Sequence, residues 1–269
     1  MATFRDLEHA GWTDKAQSYD DHFASITRQA IGPLLQSIGG IADKDLIDIC
    51  CGTGDLAAAA VSKGARVVGV DFALPMIEIA RRKVPGAMFK TDDAEALDIE
   101  STSFDAATCA FGLWHLAEPD AAICEANRIL RSKGVYAYTT WLPPEEGWDM
   151  FDILMTAVKR HGTLDVDLPP APPPFRFADK SEAKSVLESS GFEAIDVHKH
   201  EALWVGANGN QLLELLYKGI VRAPMLIEAQ APKARALIKE QIRSNAEAMS
   251  VDGEIRMRWP FLIVRAAKK

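Results

Sequence analysis

One short stretch near the start of the chain combines glycines with a carboxylate in a way that suits close ligand binding. It reads Asp48-Ile49-Cys50-Cys51-Gly52-Thr53-Gly54-Asp55 and joins a short apolar strand to an alanine-rich helix. Glycines at such a turn let the backbone approach a ligand because no Cβ intervenes. Asp48 would attract a charged amino group and would repel a pyrophosphate. The spacing Gly52-x-Gly54-x-x-Ala57 also satisfies a relaxed dinucleotide fingerprint, so the glycines alone leave both ligand classes open.

Two further carboxylates follow the next two predicted strands and favour one of these ligand classes. Asp71 ends the second strand, 17 residues past Gly54, where a carboxylate can accept both ribose hydroxyls. This arrangement alone would also suit NAD. After the third strand come Asp93, which can take the exocyclic amine of adenine, and Ala94, where a backbone amide can donate to the ring. Together with Asp48, these positions suit the amino-acid end, the ribose and the adenine of S-adenosylmethionine.

His115 is the candidate catalytic residue, because it lies just past the fourth predicted strand. Methyl transfer needs an acceptor atom aligned with the bond to be broken, and positioning supplies much of the acceleration. A hydroxyl acceptor would also benefit from a general base, and an imidazole titrates near pH 6.5. A histidine that only lines the pocket is the alternative. The nearby Glu118 and Asp120 more plausibly open the following helix.

Aromatic residues near the strand ends are candidates for the wall of an acceptor pocket. The predicted pocket residues are Trp114, Trp141 and Phe175, with Phe111 on the cofactor side. From the N-terminal helix, Tyr19 could close over the cofactor. Plain core packing is the alternative for all of these side chains.

The elements that must position these residues alternate regularly between strand and helix from residue 46 to residue 141. Continuous apolar strands in such an alternation predict a parallel sheet covered on both faces. Pro119 is predicted to open a helix that Gly134 closes, and Pro260 in the last strand predicts an edge position or a bulge. The pattern breaks over residues 143–178, where a helix and a proline-rich segment predict a lid or binding element.

Several motifs, taken jointly, resemble the class I S-adenosylmethionine-dependent methyltransferases, and most closely the ubiquinone/menaquinone-biosynthesis type. They are Gly52-Thr53-Gly54, Val70-Asp71-Phe72, Asp93-Ala94-Glu95-Ala96-Leu97, Ser103-Phe104-Asp105 and Phe111-Gly112-Leu113. The resemblance covers about residues 40–142. The sequence departs from the pattern at Cys50-Cys51, at Trp114-His115 and in the proline-rich insertion.

The resemblance implies an α/β, Rossmann-like, doubly wound sheet of seven mostly parallel strands with an antiparallel last strand, plus a helical lid. Within one domain, residues 1–40 would form the N-terminal lid, 41–142 the cofactor-binding half, 143–178 the acceptor lid and 179–269 the completion of the sheet. The cofactor would be S-adenosylmethionine, leaving as S-adenosylhomocysteine. Its predicted binding residues are Tyr19, Asp48, Cys50, Gly52, Gly54, Asp71, Phe72, Met76, Asp93, Ala94 and Phe111.

Composition narrows the range of partners. The formal net charge is −8 and no basic stripe appears, which argues against a nucleic-acid surface. No apolar run is long enough for a membrane span, and the spacing of the 4 cysteines predicts reduced thiols in a cytoplasmic protein without a metal site. We therefore expect a monomer or homodimer that methylates a small organic acceptor, with O favoured over N, S or C. An NAD(P)-dependent oxidoreductase and a catalytically silent cofactor-binding regulator are the rival interpretations.

Overall fold

The computed structural model describes residues 2–269 as a sheet flanked by helices. The strands are β1 (Asp45–Ile49), β2 (Arg66–Asp71), β3 (Met88–Thr91), β4 (Phe104–Ala110), β5 (Leu130–Trp141), β6 (Phe192–Gly206), β7 (Ser250–Val251) and β8 (Glu254–Lys268). The α-helices are α1 (Phe4–His22), α2 (Ala24–Thr27), α3 (Ile31–Ile38), α4 (Asp55–Ser62), α5 (Leu74–Lys83), α6 (Pro119–Ile129), α7 (Asp149–His161), α8 (Lys180–Ser189), α9 (Gly209–Gly219), α10 (Arg222–Glu228) and α11 (Pro232–Glu247).

The sheet has the strand order β3-β2-β1-β4-β5-β8-β6, and β1 to β5 run parallel. The last long strand, β8, runs antiparallel to both β5 and β6. These seven strands confirm the predicted fold class. A two-residue strand, β7, adds an eighth member through its pairing with β8.

The register of the parallel strands brings their carboxyl ends to one edge of the sheet. Ile49 of β1 pairs with Val70 of β2, and Asp48 pairs with Thr108 of β4. The residues that follow β1, β2 and β4 therefore emerge side by side. The chain order reverses between β1 and β4, which is where ligands bind in open α/β sheets.

The boundary between α6 and β5 differs from the prediction. The helix ends at Ile129, and β5 begins at Leu130, four residues before the predicted stop at Gly134. Leu130 pairs with Phe104 of β4, so strand pairing outweighs the glycine signal here. Gly134 lies inside β5, where the backbone folds so closely that a Cβ on residue 134 would lie 2.8 Å from the Arg131 carbonyl oxygen. The glycine therefore permits this irregularity of the strand.

The prediction of an edge position or a bulge at Pro260 was wrong, because β8 lies between β5 and β6 in a regular register around this residue. Proline is tolerated here because the paired part of β5 ends at Trp141, opposite Phe261. The Pro260 carbonyl accepts a hydrogen bond from the Leu142 N–H at 2.9 Å, and the hydrogen bond that proline cannot donate in return falls just beyond the last pair of this ladder.

The helices outside the alternating core cover the carboxyl edge of the sheet. Helix α1 packs on α5 and α9, and α7 packs on α11. The segment 179–269 therefore contributes helical cover as well as the strands that complete the sheet, and α10 was not predicted. Over residues 2–269, every helix is too short or too polar to cross a membrane.

Candidate functional site

A cavity of about 540 Å³ opens at the carboxyl edge of the parallel strands. Its size lies in the range that is usual for small-molecule sites. Its wall includes most of the predicted site residues: Tyr19, Cys50, Gly52, Asp71, Phe72, Met76, Asp93, Ala94, Phe111, Trp114, His115 and Trp141. Asp48, Gly54 and Phe175 do not line it. The remaining wall comes from α7, residues 164–174 and the α9–α10 region.

The two glycines of the β1–α4 turn have different structural roles. Gly52 lies on the cavity wall with a φ of +53°, and a Cβ built on it would meet no atom within 4 Å. The space that a side chain would fill therefore belongs to the cavity, and a ligand can reach the backbone. Gly54 has a φ of +85°, and its Cβ would lie 3.1 Å from the Cβ of Ala80 and 3.2 Å from Phe89. It permits the turn and the packing of α5.

Asp71 holds the glycine turn and faces the cavity. Its Oδ2 accepts a hydrogen bond from the Gly52 N–H at 2.9 Å, and its Oδ1 accepts one from the Ala73 N–H at 2.9 Å. Burial raises the pKa of this carboxyl, although the two backbone donors oppose the shift. Each oxygen retains a lone pair for a further donor, as a ribose diol would require.

Asp48 occupies a different place from the one predicted. It is 1% exposed, lies outside the cavity wall, and accepts a hydrogen bond from Thr108 Oγ1 at 2.9 Å. Burial raises the pKa of Asp48 to about 7, against the opposing effect of the Thr108 hydroxyl. The Asp48 carboxyl therefore lies inside the sheet beside β4 and off the cavity wall, and its direct contact with a ligand's amino group stays a prediction.

The predicted adenine end is covered by the first turns of α1. Arg5 forms ion pairs with both Asp93 and Glu95, and His9 meets the ring of Phe72 edge-on at a centroid distance of 5.3 Å. Asp93 also accepts a hydrogen bond from the Glu95 N–H at 2.9 Å. The carboxylate predicted to recognise adenine is thus shared with α1. Sequence reasoning missed this pairing because Arg5 lies far from Asp93 along the chain.

The last turns of α1 are tied to the glycine turn by a polar network. Thr53 Oγ1 donates to Asp20 at 2.6 Å, and Lys83 bridges Asp20 and Asp55 at 2.8 and 2.7 Å. Burial works against ionisation of Asp20, but the hydrogen bonds from Lys83 and Thr53 outweigh it and lower the pKa of this carboxyl. This anchoring places Tyr19 on the cavity wall, where burial raises the pKa of its phenol.

The opposite end of the cavity is a stack of aromatic rings. Phe111 lies 3.9 Å from Trp141, centroid to centroid, at an angle of 14°, and Trp141 stacks on Trp148 at 5.5 Å. Phe111 has a φ of +58°, a strained backbone at the end of β4 that turns its side chain into the site. Phe175 was predicted to line the pocket, but it packs behind Trp114 at 5.0 Å instead. Trp148, which precedes α7, was not among the predicted pocket residues.

His115 stands between these two ends of the cavity. Its Nδ1 lies 2.8 Å from Oε2 of Glu8, and its ring meets Trp12 edge-on at 4.8 Å. Arg222 also lines the cavity, with its Nε 3.9 Å from Oε1 of Glu8 and its guanidinium 5.1 Å above the ring of Phe4. Neither Glu8 nor the pairing of Arg222 with it was predicted, because no local pattern joins α1 to residue 115 or residue 222.

Cys50, which follows β1, brings a thiol to the cavity wall. A hydrogen bond with Cys109, together with burial, raises the pKa of the Cys50 thiol well above its usual range. Within residues 2–269, no group of three or more His, Cys, Asp or Glu side chains is placed to hold a metal ion. The polar groups on the cavity wall include carboxylates, backbone amides, the imidazole, one guanidinium and the hydroxyls of Tyr19 and Thr27.

Comparison with known proteins assigns this arrangement to a family. Residues 47–138, which hold β1 to most of β5, match the family model described as a methyltransferase domain. The chain carries a class I S-adenosylmethionine-dependent methyltransferase domain. The matched range contains the glycine turn, Asp71, Asp93 and His115. The resemblance inferred from the sequence motifs is thereby confirmed.

Relatives of this methyltransferase domain extend over different shares of the chain. A demethylmenaquinone methyltransferase of Thermus thermophilus is 40% identical over 112 residues, which are 39% of this chain and 51% of that protein. The chain thus spans about half the length of the curated relatives it matches.

Solved structures show the same fold over most of the chain. A candidate methyltransferase of Bacillus halodurans superposes with a TM-score of 0.57 at 18% identity, covering 89% of this chain and 99% of that one. A phosphoethanolamine N-methyltransferase of Haemonchus contortus, solved with S-adenosylmethionine, gives 0.54 at 17% identity, covering 89% of this chain and 52% of that one.

Proposed function

We propose that this protein transfers the methyl group of S-adenosylmethionine to a small, largely aromatic acceptor, with a hydroxyl oxygen as the favoured acceptor atom. The observation that carries the proposal is the set of residues that lines the cavity at the carboxyl edge of the sheet. A glycine turn and two carboxylates line one end, stacked aromatic rings line the other, and His115 stands between them. A methyl donor and a flat acceptor could therefore meet beside an imidazole.

The cofactor end fits S-adenosylmethionine on three observations. The open space at Gly52 lets a ligand approach the backbone, Asp71 presents spare lone pairs to a ribose, and Asp93 lies where adenine is expected. When bound, the cofactor supplies a methyl group on a positively charged sulfur. Asp71 would also suit the ribose of NAD(P), so the preference for the methyl donor is supported by the match of residues 47–138 to a methyltransferase domain.

The acceptor end favours a flat, apolar molecule that carries one or two polar groups. Trp141 and Trp148 line this end of the cavity, and residues 164–174 add an apolar wall. The Arg222 side chain makes no hydrogen bond among the described residues, and its nearest carboxylate is Glu8 at 3.9 Å, so its guanidinium can donate to an anionic group of the acceptor. His115 would take the proton of a hydroxyl as that oxygen attacks the methyl carbon. Positioning and exclusion of water supply the rest of the acceleration.

The test is a screen of acceptors with isotopically labelled S-adenosylmethionine, in which transferred label and S-adenosylhomocysteine are measured together. Phenols with and without a carboxylate, amines and thiols form the panel, and His115→Gln serves as the matched variant. We expect turnover with at least one aromatic hydroxyl compound and a loss of turnover in the variant. Release of S-adenosylhomocysteine from no member of the panel, with tight cofactor binding, would instead support a catalytically silent regulator.

Two further expectations belong to the proposal. The four cysteines are unpaired, which fits a reducing, cytoplasmic location. We also propose a monomer or a homodimer as the assembly of the protein.

A further inference from the structure

Glu8 is a buried carboxylate in an otherwise apolar helix face. The buried residues of α1 are Phe4, Glu8, Gly11, Trp12 and Ala16, which lie on the face toward the cavity and the neighbouring helices. Glu8 is 1% exposed. Removing a carboxylate from water in this way is unfavourable unless specific partners compensate for it. A leucine would fit this buried position without the cost of burying a charge. The residues that contact Glu8 therefore indicate the role of its carboxylate.

The partners of Glu8 connect it to the proposed base. Among the described residues, its only hydrogen bond joins Oε2 to Nδ1 of His115 at 2.8 Å, and its only other charged neighbour is Arg222 at 3.9 Å. The edge-on contact with Trp12 holds the imidazole from another side. His115 keeps 23% of its side chain exposed and lines the cavity, and its Nε2 makes no hydrogen bond within residues 2–269.

We propose that Glu8 is the positioning residue for His115, an inference that rests on the proposed methyl transfer. A carboxylate cannot donate a hydrogen bond, so Nδ1 must carry the proton in this pair. The tautomer is thereby fixed with an unprotonated Nε2 toward the cavity, where a base must accept its proton. The same carboxylate stabilises the imidazolium that forms when Nε2 is protonated.

The proton and electron balance of the step follows from this arrangement. The acceptor hydroxyl loses its proton to Nε2 of His115, and its oxygen forms the new bond to the methyl carbon. The bond from that carbon to the sulfur breaks, and its electron pair stays on the sulfur. Glu8 keeps its negative charge throughout and holds the proton on Nδ1 by a hydrogen bond. No further oxidant, reductant or metal ion is needed for the balance.

The charges around the imidazole come from three elements. Glu8 of α1 contacts the imidazole of His115 directly. Asp71 at the end of β2 interacts with the imidazole electrostatically, and Arg222 of α10 lies on the other side of Glu8. His9, also on α1, faces Asp71. The two carboxylates favour a charged imidazole and Arg222 opposes it, so removal of the Glu8 charge should disfavour protonation of Nε2.

The kinetic test is Glu8→Gln, with Asp14→Asn as the matched control because Asp14 is an exposed acid on the same helix. With the best acceptor, we expect Glu8→Gln to lower kcat by about 10- to 1,000-fold and to leave cofactor affinity within about twofold, since it touches the base and not the cofactor. The acid limb of the pH–rate profile should move to lower pH.

The double variant Glu8→Gln/His115→Gln should be no slower than His115→Gln alone. Additive losses, or an unmoved acid limb, would overturn the assignment.

A second measurement needs no turnover and reads the tautomer of His115 in the wild-type protein. The ring nitrogens of the histidines can be followed by ¹⁵N NMR in the wild-type protein near pH 8, with the His115 signals identified through His115→Gln. We expect a protonated Nδ1 and an unprotonated Nε2. The opposite tautomer would overturn the role of Glu8 even if methyl transfer is observed. If no acceptor is methylated but the expected tautomer is present, the proposed function fails and the pairing of Glu8 with His115 stands.

Discussion

The buried carboxyl of Asp48 makes the stability of the ligand-free protein depend on pH in a direction that can be worked out. The pKa of this group is raised from 3.8 to about 7 in the folded protein because it is buried. A shift of about 3 pKa units corresponds to about 4 kcal/mol between the two protonation states. The folded protein therefore binds the proton more tightly than the unfolded chain does. The contribution of Asp48 to the free energy of unfolding is therefore largest below about pH 4, decreases as the pH rises to about 7, and is lost above that.

The perturbation is Asp48→Asn, which keeps the shape and cannot ionise. We expect the free energy of unfolding of this variant, relative to wild type, to improve by a few kcal/mol between pH 4.5 and pH 8. Urea unfolding at fixed pH values across this range measures the difference, and subtraction removes the contribution of Asp71, which is shifted in the same direction by burial.

Thr108→Val is the matched variant, because Thr108 donates the hydrogen bond that favours the ionised form of Asp48. It should destabilise the protein more at pH 8 than at pH 4.5. A difference between Asp48→Asn and wild type that is constant from pH 4.5 to pH 8 would refute the reasoning. It would mean that the carboxyl reaches water or a cation in the ligand-free protein.

Further predictions concern the glycine turn and the cover of the cavity. Gly54→Ala should lower the free energy of unfolding by about 1–2 kcal/mol, because a φ of +85° and the contact with Ala80 at 3.1 Å both resist a Cβ. Gly52→Ala should lower the free energy of unfolding by less, since its Cβ meets no atom, but it should weaken cofactor binding at least about tenfold by filling ligand space. Urea unfolding and cofactor titration of both variants measure these effects. A larger loss of stability in Gly52→Ala, or a larger loss of affinity in Gly54→Ala, would contradict these roles. Hydrogen exchange over residues 4–30 should slow when cofactor and acceptor are added, and identical exchange would reduce the segment to scaffold.

The sheet and the cofactor end could be predicted from sequence because their signals are local. Each strand of the alternating half ends in a turn residue, and parallel strands bring such ends to one edge. The glycine turn and Asp71 therefore fall on one cavity wall, as the motifs predicted. Asp48 shows the limit of this reasoning. A period-two pattern does not say how far a strand-end carboxyl lies from the open edge, and its contact with Thr108 depends on pairing between β1 and β4.

What could not be predicted depends on contacts between distant parts of the chain. Glu8 reads as one of several acids in a polar helix until α1 is placed on His115. In the same way, Arg5 gains its meaning only when it reaches Asp93. Proline cannot donate a hydrogen bond to a neighbouring strand, and this was the basis of the prediction for Pro260. The structure accommodates Pro260 where β5 ends and not at the edge of the sheet. In each case the residue type indicated a special role, but the residue that it contacts lies far away along the chain and could not be identified from the sequence.

The central claim is that this cavity binds S-adenosylmethionine, and calorimetric titration tests it most directly. We expect saturable binding of S-adenosylmethionine or S-adenosylhomocysteine at one site per chain and no heat with NAD. Asp71→Ala should weaken the binding by about 2 kcal/mol or more, because the ribose hydroxyls lose a charged acceptor. Asp14→Asn, on the solvent side of α1, should bind as wild type does. Saturable binding of NAD without binding of either adenosyl compound, or an Asp71→Ala variant with normal affinity, would contradict the account.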